Sequence, residues 1–182
     1  KILMRFAGFF IVLLLICIAA GCGSANVSRG LADDEAGQIY GAAIRQIYHV
    51  DHSFGQPPNW PMVYVLTTTD DAVMLDAPTA AAQKLSTEVQ YAIETELAGE
   101  SFQLIWAESL EDVPVDPANG QIAQGEGIVI SLGNIHQQDD GTVQLPFFMT
   151  CGGLCGIGKT YVLQMTAGVW QVTGSVGPEI MS

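Results

Sequence analysis

Basic residues are scarce in this sequence. Its 182 residues include 6 Lys and Arg against 19 Asp and Glu, which gives a formal net charge of −13. So few cations cannot neutralise a row of phosphates, and the acidic excess repels them, so we expect no nucleic-acid partner. Charged residues make up 14% of the chain and hydrophobic residues 49%. This composition excludes extensive disorder and predicts one folded domain of ordinary size.

Long hydrophobic runs are also absent outside the N-terminus. Residues 6–20 are almost entirely apolar and follow Arg5, but this run is shorter than the roughly 20 residues that a membrane-spanning helix needs. A basic start, a short apolar stretch and small residues at its end are typical of a secretory signal peptide. We therefore predict a signal peptide over residues 1–21.

The end of this run carries a recognisable pattern. Small residues 19–21 precede Cys22, and this segment resembles the lipobox of bacterial lipoproteins, with Ala19 at the position usually held by Leu. The resemblance implies cleavage before Cys22, a diacylglycerol on its thiol, and a lipid anchor as the protein's contact with the membrane. The protein would then lie in the cell envelope, on the extracytoplasmic face of a bacterial membrane. An ordinary secretory signal, in which Cys22 has no role, is the alternative.

Residues 22–30 are small and polar and would form a flexible tether, followed by a single globular domain over residues 31–182. This mature part resembles exported bacterial proteins of no known activity. That resemblance therefore implies no site residues.

Two cysteines remain beyond the lipobox. Cys151 and Cys155 flank Gly152 and Gly153, and the glycines allow the backbone to bring the two thiols together. In an oxidising compartment, such a pair predicts a structural disulfide. A redox pair usually has a two-residue spacer at a helix start, and a zinc site needs further ligands, so we favour neither.

The hydrophobic pattern predicts an α+β fold. Apolar residues at helical spacing predict amphipathic helices over residues 33–49 and 79–97. Residues 70–78 and 113–127 are expected to be loops. Strands are predicted at six places, which are residues 62–67, 102–106, 128–132, 142–149, 161–165 and 169–173. We expect a mostly antiparallel sheet of about six strands, ending in a β-meander, with both helices on one face. The first strand, the second helix and the next strand are compatible with a parallel crossover.

One segment matches a nucleotide-binding motif by its letters. Residues 153–160 fit the pattern G-x4-G-K-T of the phosphate-binding loop. That chemistry requires a helix to begin at the end of the motif, whereas the residues that follow Thr160 are β-forming. We therefore predict a Gly-rich hairpin connection with a solvated Lys159, and no bound nucleotide.

Histidine occurs near acidic residues at two places. His49 and His52 are three apart beside Asp51, a spacing at which two imidazoles can reach one metal ion. A helix end, where imidazoles meet the negative end of the helix dipole, is the interpretation that we favour. The second place holds His136, Asp139 and Asp140. Asp-Gly after Asp139 is the ordinary hairpin signal, so we expect a turn and no calcium site.

The remaining candidates give no catalytic set. The acid pairs Asp70–Asp71 and Glu94–Glu96 do not place two carboxylates together on one helix face, and Ser131 lacks the Gly two residues before it that a nucleophile elbow needs. We expect the tryptophans Trp106 and Trp170 to pack in the core or the sheet. Trp60 is expected to do the same but to be the most exposed of the three, because it lies in a loop.

We therefore expect a binding or accessory domain with no cofactor, no metal and no evident catalytic apparatus. The alternatives are a small extracytoplasmic hydrolase with a histidine-containing site and a structural component of the envelope.

Overall fold

The computed structural model describes residues 30–52, 60–74, 77, 80–153 and 155–181. Residues 31–182 form one compact unit. The predicted signal peptide over 1–21, Cys22, and the tether up to residue 29 lie outside the described residues. Neither described helix has the length and continuous hydrophobicity that a bilayer crossing requires.

The first helix, α1, spans Asp33–His49 as predicted. Three acidic residues occupy its first turn, where the helix dipole favours them. Its buried side chains recur at three-to-four spacing, and the largest of them are Ile39, Tyr40, Ile44, Ile47 and Tyr48. This apolar stripe is the face of α1 that packs against the core.

The second helix, α2, is shorter than predicted and spans Thr87–Glu96. The predicted start at residue 79 is wrong because Ser86 caps the helix, its side chain accepting a hydrogen bond from the Val89 amide at 3.2 Å. Gln83–Lys84 form a short strand in place of the expected first turns. Leu85, which precedes the helix, is nevertheless as buried as Val89.

The strands form a seven-stranded mixed sheet and a small two-stranded sheet within the described residues. In chain order they are β1 (Met62–Leu66), β2 (Thr68–Thr69), β3 (Gln83–Lys84), β4 (Gln103–Ala107), β5 (Gly127–Leu132), β6 (His136–Gln137), β7 (Val143–Gly152), β8 (Cys155–Thr166) and β9 (Val169–Met181). The large sheet has the order β4-β1-β5-β7-β8-β9, with β6 paired to β7. The small sheet joins β2 to β3.

The α+β class is confirmed, and the sheet is mixed. β1 pairs in parallel with both β4 and β5, so the parallel relation expected between the first two long strands is present. β5, β7, β8 and β9 then pair antiparallel in succession. β8 and β9 are longer than predicted because their pairing continues past the β-rich runs into Gly-containing segments.

The sheet has two differently covered faces. Val63 and Ile128 belong to a large core that contains both helices. Tyr64 and Val129, one residue further along their strands, belong to a smaller cluster that contains Val113. Because side chains alternate between the faces of a sheet, the loop after β4 covers the face opposite the helices.

Candidate functional site

A cavity on the sheet face opposite the helices has a volume of about 770 Å³. We call it the sheet-face cavity. Its apolar lining consists of Met62, Tyr64, Pro114, Val115, Pro117 and Ala123. Its polar lining consists of Asp116, Gln121, Gln124 and Glu126. The lining therefore mixes apolar and polar surface in about equal parts. Ligand sites combine apolar contact area with polar groups that orient the ligand.

The floor of the cavity is fixed by β1, which pairs on both sides. Tyr64 is 7% exposed, so its ring is held by packing while part of it borders the cavity. Its hydroxyl donates to the Met62 sulfur at 3.6 Å. A thioether is a weak acceptor, so this hydroxyl retains most of its hydrogen-bonding capacity for a stronger partner.

The wall of the cavity is a loop that folds back on itself. Val115 and Ile122 form an antiparallel bridge, and the Asp116 amide donates to the Gln121 carbonyl oxygen at 2.8 Å. Ala123 and Gln124 have φ of 47° and 60°. Left-handed backbone costs about 1–2 kcal/mol at each residue other than glycine. Such conformations persist only where the surrounding structure holds them, and they are frequent at functional sites.

This loop is joined to the hairpin that carries the cysteines. Gln121 bridges Gly152, and Gly152 has φ of 98°, with room for no Cβ because one would lie 2.9 Å from the Gln121 Cα atom. Cys151 and Cys155 lie at disulfide distance, with Cα atoms 5.3 Å apart. The predicted cysteine pair therefore lies directly beside the cavity wall, which the sequence did not indicate.

The electrostatics of the cavity are acidic. The basic residues in the described ranges are Arg45, Lys84 and Lys159. Each forms a salt bridge with a carboxylate that does not line the cavity. One oxygen of Asp116 accepts from the Ala118 amide at 2.8 Å. In the described part of the chain, the Glu126 carboxylate has no hydrogen-bond or ion-pair partner.

A second polar cluster contains Lys159, and here one expectation is wrong. The segment over residues 155–166 is β8, so the expected strand in place of a helix after the motif is confirmed. The expected solvated Lys159 is not found, since its side chain is 15% exposed. Its Nζ lies 2.6 Å from Asp51 Oδ1 and 3.2 Å from Glu179 Oε1. The lysine was misjudged because its partners are remote in sequence.

This cluster joins the end of α1 to β8 and β9. Asp51 accepts hydrogen bonds from Lys159, from the Tyr161 hydroxyl at 2.7 Å and from Gln46 at 3.1 Å. Burial opposes ionisation of Asp51, but these donors outweigh it and lower its pKa. Burial and the neighbouring Asp51 raise the pKa of Tyr161. Asp51, Lys159 and Tyr161 satisfy one another's charge and hydrogen-bonding groups, which favours a structural role for this cluster.

The two histidines at the end of α1 have different surroundings. His49 Nε2 lies 2.7 Å from Glu100 Oε2, and Asp51 belongs to the Lys159 cluster. His52 Nδ1 is buried and has no hydrogen-bond partner among the described residues. No group of three or more metal-ligating side chains occurs in the described part of the chain. The helix-end interpretation of His49 therefore agrees with its surroundings.

The pairing of His136 was missed. Its Nε2 lies 3.0 Å from Asp71 Oδ2, and because an ionised carboxylate only accepts, this nitrogen donates. Asp71 is 1% exposed and also accepts from the Asn134 amide at 2.7 Å and the Ala80 amide at 2.7 Å. Burial raises the pKa of Asp71, but these hydrogen bonds outweigh it and lower the value. No hydroxyl or thiol among the described residues forms a hydrogen bond with the His136 ring, whose described partner is Asp71.

The other predicted candidates have separate partners. Asp140 accepts from the Thr142 amide in the turn that was expected there, and Asp139 is exposed. Asp70 caps the short turn at Asp71. Glu94 accepts from the Trp106 indole at 2.7 Å, whereas Glu96 pairs with Arg45.

Ser131 and the tryptophans belong to the frame of the fold. Ser131 pairs with Phe148 within the sheet. Trp170 is 6% exposed, and Trp60 and Trp106 pack against the main core.

The residues of the sheet-face cavity were not identified from the sequence. Pro114, Asp116 and Glu126 fall in the segment interpreted as a loop, and Tyr64 in the first predicted strand. The one available signal was the length of that loop, since a long loop in a compact domain is commonly functional.

No known protein family, curated protein or solved structure matches this chain. The function must therefore be inferred from the geometry of the chain itself.

Proposed function

We propose that this protein is a lipid-anchored, extracytoplasmic binding or accessory domain whose sheet-face cavity holds a small molecule. The observation that carries the proposal is the cavity itself. Its volume of about 770 Å³ lies within the range of small-molecule sites, about 300–1,000 Å³. The cavity joins a strand held by two neighbours to a loop with two left-handed non-glycine residues. A fixed floor and a held wall favour binding because little order is lost when a ligand enters.

The anchor part of the proposal rests on the sequence. The small residues before Cys22 support cleavage and lipidation there. Residues 23–30 reach at most about 28 Å when extended, so a lipid on Cys22 would keep the domain close to the membrane. The acidic domain would be repelled by anionic headgroups, so the lipid would supply the attachment.

A pair of matched substitutions tests the cavity. Val115 lines it and is 49% exposed, whereas Val176 on β9 lies outside its lining and is 40% exposed. Val115→Trp should fill the cavity, and Val176→Trp should add the same indole elsewhere. The full chain in detergent would be screened by ligand-observed NMR against small neutral, cationic and anionic fragments.

We expect fragments that bind the unmodified chain to bind Val176→Trp equally and to lose binding to Val115→Trp. Circular dichroism would verify that both variants remain folded. Binding that is equal in all three proteins would contradict the proposed site, as would a screen in which no fragment binds.

A further inference from the structure

We infer that the sheet-face cavity selects organic cations that carry an apolar body, such as an aryl-alkyl amine. The inference rests on the proposed function, since it names the class of ligand for the same cavity. It follows from three features of the lining, which are its uncompensated carboxylates, its aromatic floor and the position of every described cation.

The carboxylates supply the selection by charge. Asp116 and Glu126 both line the cavity, and Glu126 has no partner among the described residues. Asp116 is half-buried beside apolar walls, where the lower dielectric strengthens its attraction for a counter-ion. Glu126 is exposed and adds a second negative charge to the lining. Within the described residues no cation of the chain faces these carboxylates, since Arg45, Lys84 and Lys159 are each paired elsewhere. A ligand cation would complete the site.

The floor of the cavity favours ligands with an apolar body, and its aromatic residue also attracts a cation. Tyr64 is nine-tenths buried, and its hydroxyl has only the Met62 sulfur as a described partner. Tyr64 lines the cavity together with Met62, Pro114 and Pro117. An aromatic ring face attracts a cation within about 6 Å of its centre, and a thioether packs well against apolar groups. A bare metal ion would gain nothing from these walls.

Other ligand classes fit less well. An anion would meet two carboxylates and find no described Lys or Arg in the lining. A neutral apolar molecule would leave both carboxylates without a counter-ion and would displace their water. A neutral ligand is therefore expected to bind more weakly than a cation of equal size, and an anion more weakly still.

Three probes of nearly equal size separate these classes. They are phenethylamine, 2-phenylethanol and 3-phenylpropionate, which are cationic, neutral and anionic at pH 7. Each would be titrated calorimetrically into the full chain in detergent at low and at high salt. We expect the amine to bind most tightly, with an affinity that falls as salt screens the carboxylates.

Two variants test the carboxylate. Glu126→Gln should weaken binding of phenethylamine about fivefold, which is the upper limit for loss of one exposed ion pair. Glu111→Gln removes the same charge from an exposed turn outside the lining and should leave the affinity within about twofold. Binding of 2-phenylethanol should be unchanged in both.

The outcomes distinguish the inference from the proposed function. If the alcohol or the carboxylate binds as tightly as the amine and Val115→Trp abolishes that binding, the cavity is a ligand site and the inferred cation class is wrong. If phenethylamine fails to bind, or if Glu111→Gln weakens it as much as Glu126→Gln, the inference is also wrong. The fragment screen decides the proposed function separately.

Discussion

Lys159 has surroundings unlike those of an ordinary surface lysine. It contacts Asp51 and Glu179, and its side chain is 15% exposed. Lys159→Met would leave the mostly buried Asp51 carboxylate without its counter-ion, although Tyr161 and Gln46 still donate to it. We expect a loss of about 2 kcal/mol in the free energy of unfolding, measured by urea denaturation of the full chain in detergent.

Lys84 provides the matched control. It pairs with Glu108 at 2.7 Å, and the two side chains are 62% and 66% exposed. Because exposed ion pairs contribute about 0–1 kcal/mol, Lys84→Met should have little effect. Equal effects of the two substitutions would contradict the structural role of Lys159.

Asp71 should make stability depend on pH. Its pKa is below the ordinary value of 3.8 in the folded protein, so it contributes stability that is complete above the unfolded pKa and is lost as pH falls through the folded pKa. Asp71→Asn should cost about 2 kcal/mol at pH 7 because four donors face the carboxylate. That difference from the unmodified chain should shrink as pH falls below about 4.

Asp70 is the control for this titration, because its carboxylate is exposed and an asparagine can keep its cap on the Ala72 amide. Urea denaturation at pH 7 and at pH 2.5 would give the free energies of unfolding of Asp71→Asn and Asp70→Asn relative to the unmodified chain. A cost for Asp71→Asn that stays constant over this range would show that the Asp71 charge does not matter.

At the scale of elements, two glycines set the distance between α1 and α2. Gly37 and Gly41 lie one turn apart on α1 and face Ala92 and Glu96 of α2. A Cβ at Gly37 would meet the Ala92 Cβ and lie 2.9 Å from its carbonyl carbon. We expect Gly37→Ala to lower the melting temperature, because overpacking of about 1–3 kcal/mol outweighs a gain of about 1 kcal/mol in helix propensity.

Gly41→Ala separates packing from propensity. Its new Cβ would meet the side chain of Glu96, which can shift, and not the backbone. The same propensity gain applies, so the fall in melting temperature should be smaller than for Gly37→Ala. A rise in both variants would show that the helices do not approach as closely as described.

The elements that were predicted well have local causes. α1 combines an acidic first turn with an unbroken apolar stripe, so its bounds could be read from the chain. The start of α2 could not, because residues 83–84 form a strand through pairing with β2, which a local pattern does not contain. The same reason applies to the candidate site. Tyr64 and Glu126 are far apart in sequence and share a cavity only because β1 and β5 are neighbours.

At the scale of the whole molecule, the anchor is a separate prediction. Cys22→Ser should abolish lipidation and release the protein from membranes, and a soluble fraction after cell fractionation would show it. Cys17→Ser is the matched control, since this residue lies in the segment that would be removed. Mass spectrometry that finds an unmodified Cys22 within a longer mature chain would contradict the lipid anchor.

The central claim is that the sheet-face cavity holds a small organic cation, and the methyl group of Met62 reports on it directly. Met62 lines the cavity, whereas Met165 and Met181 lie outside its lining on β8 and β9 and are 46% and 70% exposed. The full chain labelled with 13C at methionine methyl groups would be titrated with phenethylamine. Our account predicts a saturable shift of the Met62 resonance while those of Met165 and Met181 stay in place. A Met62 resonance that does not move, or equal shifts at all three residues, would contradict it.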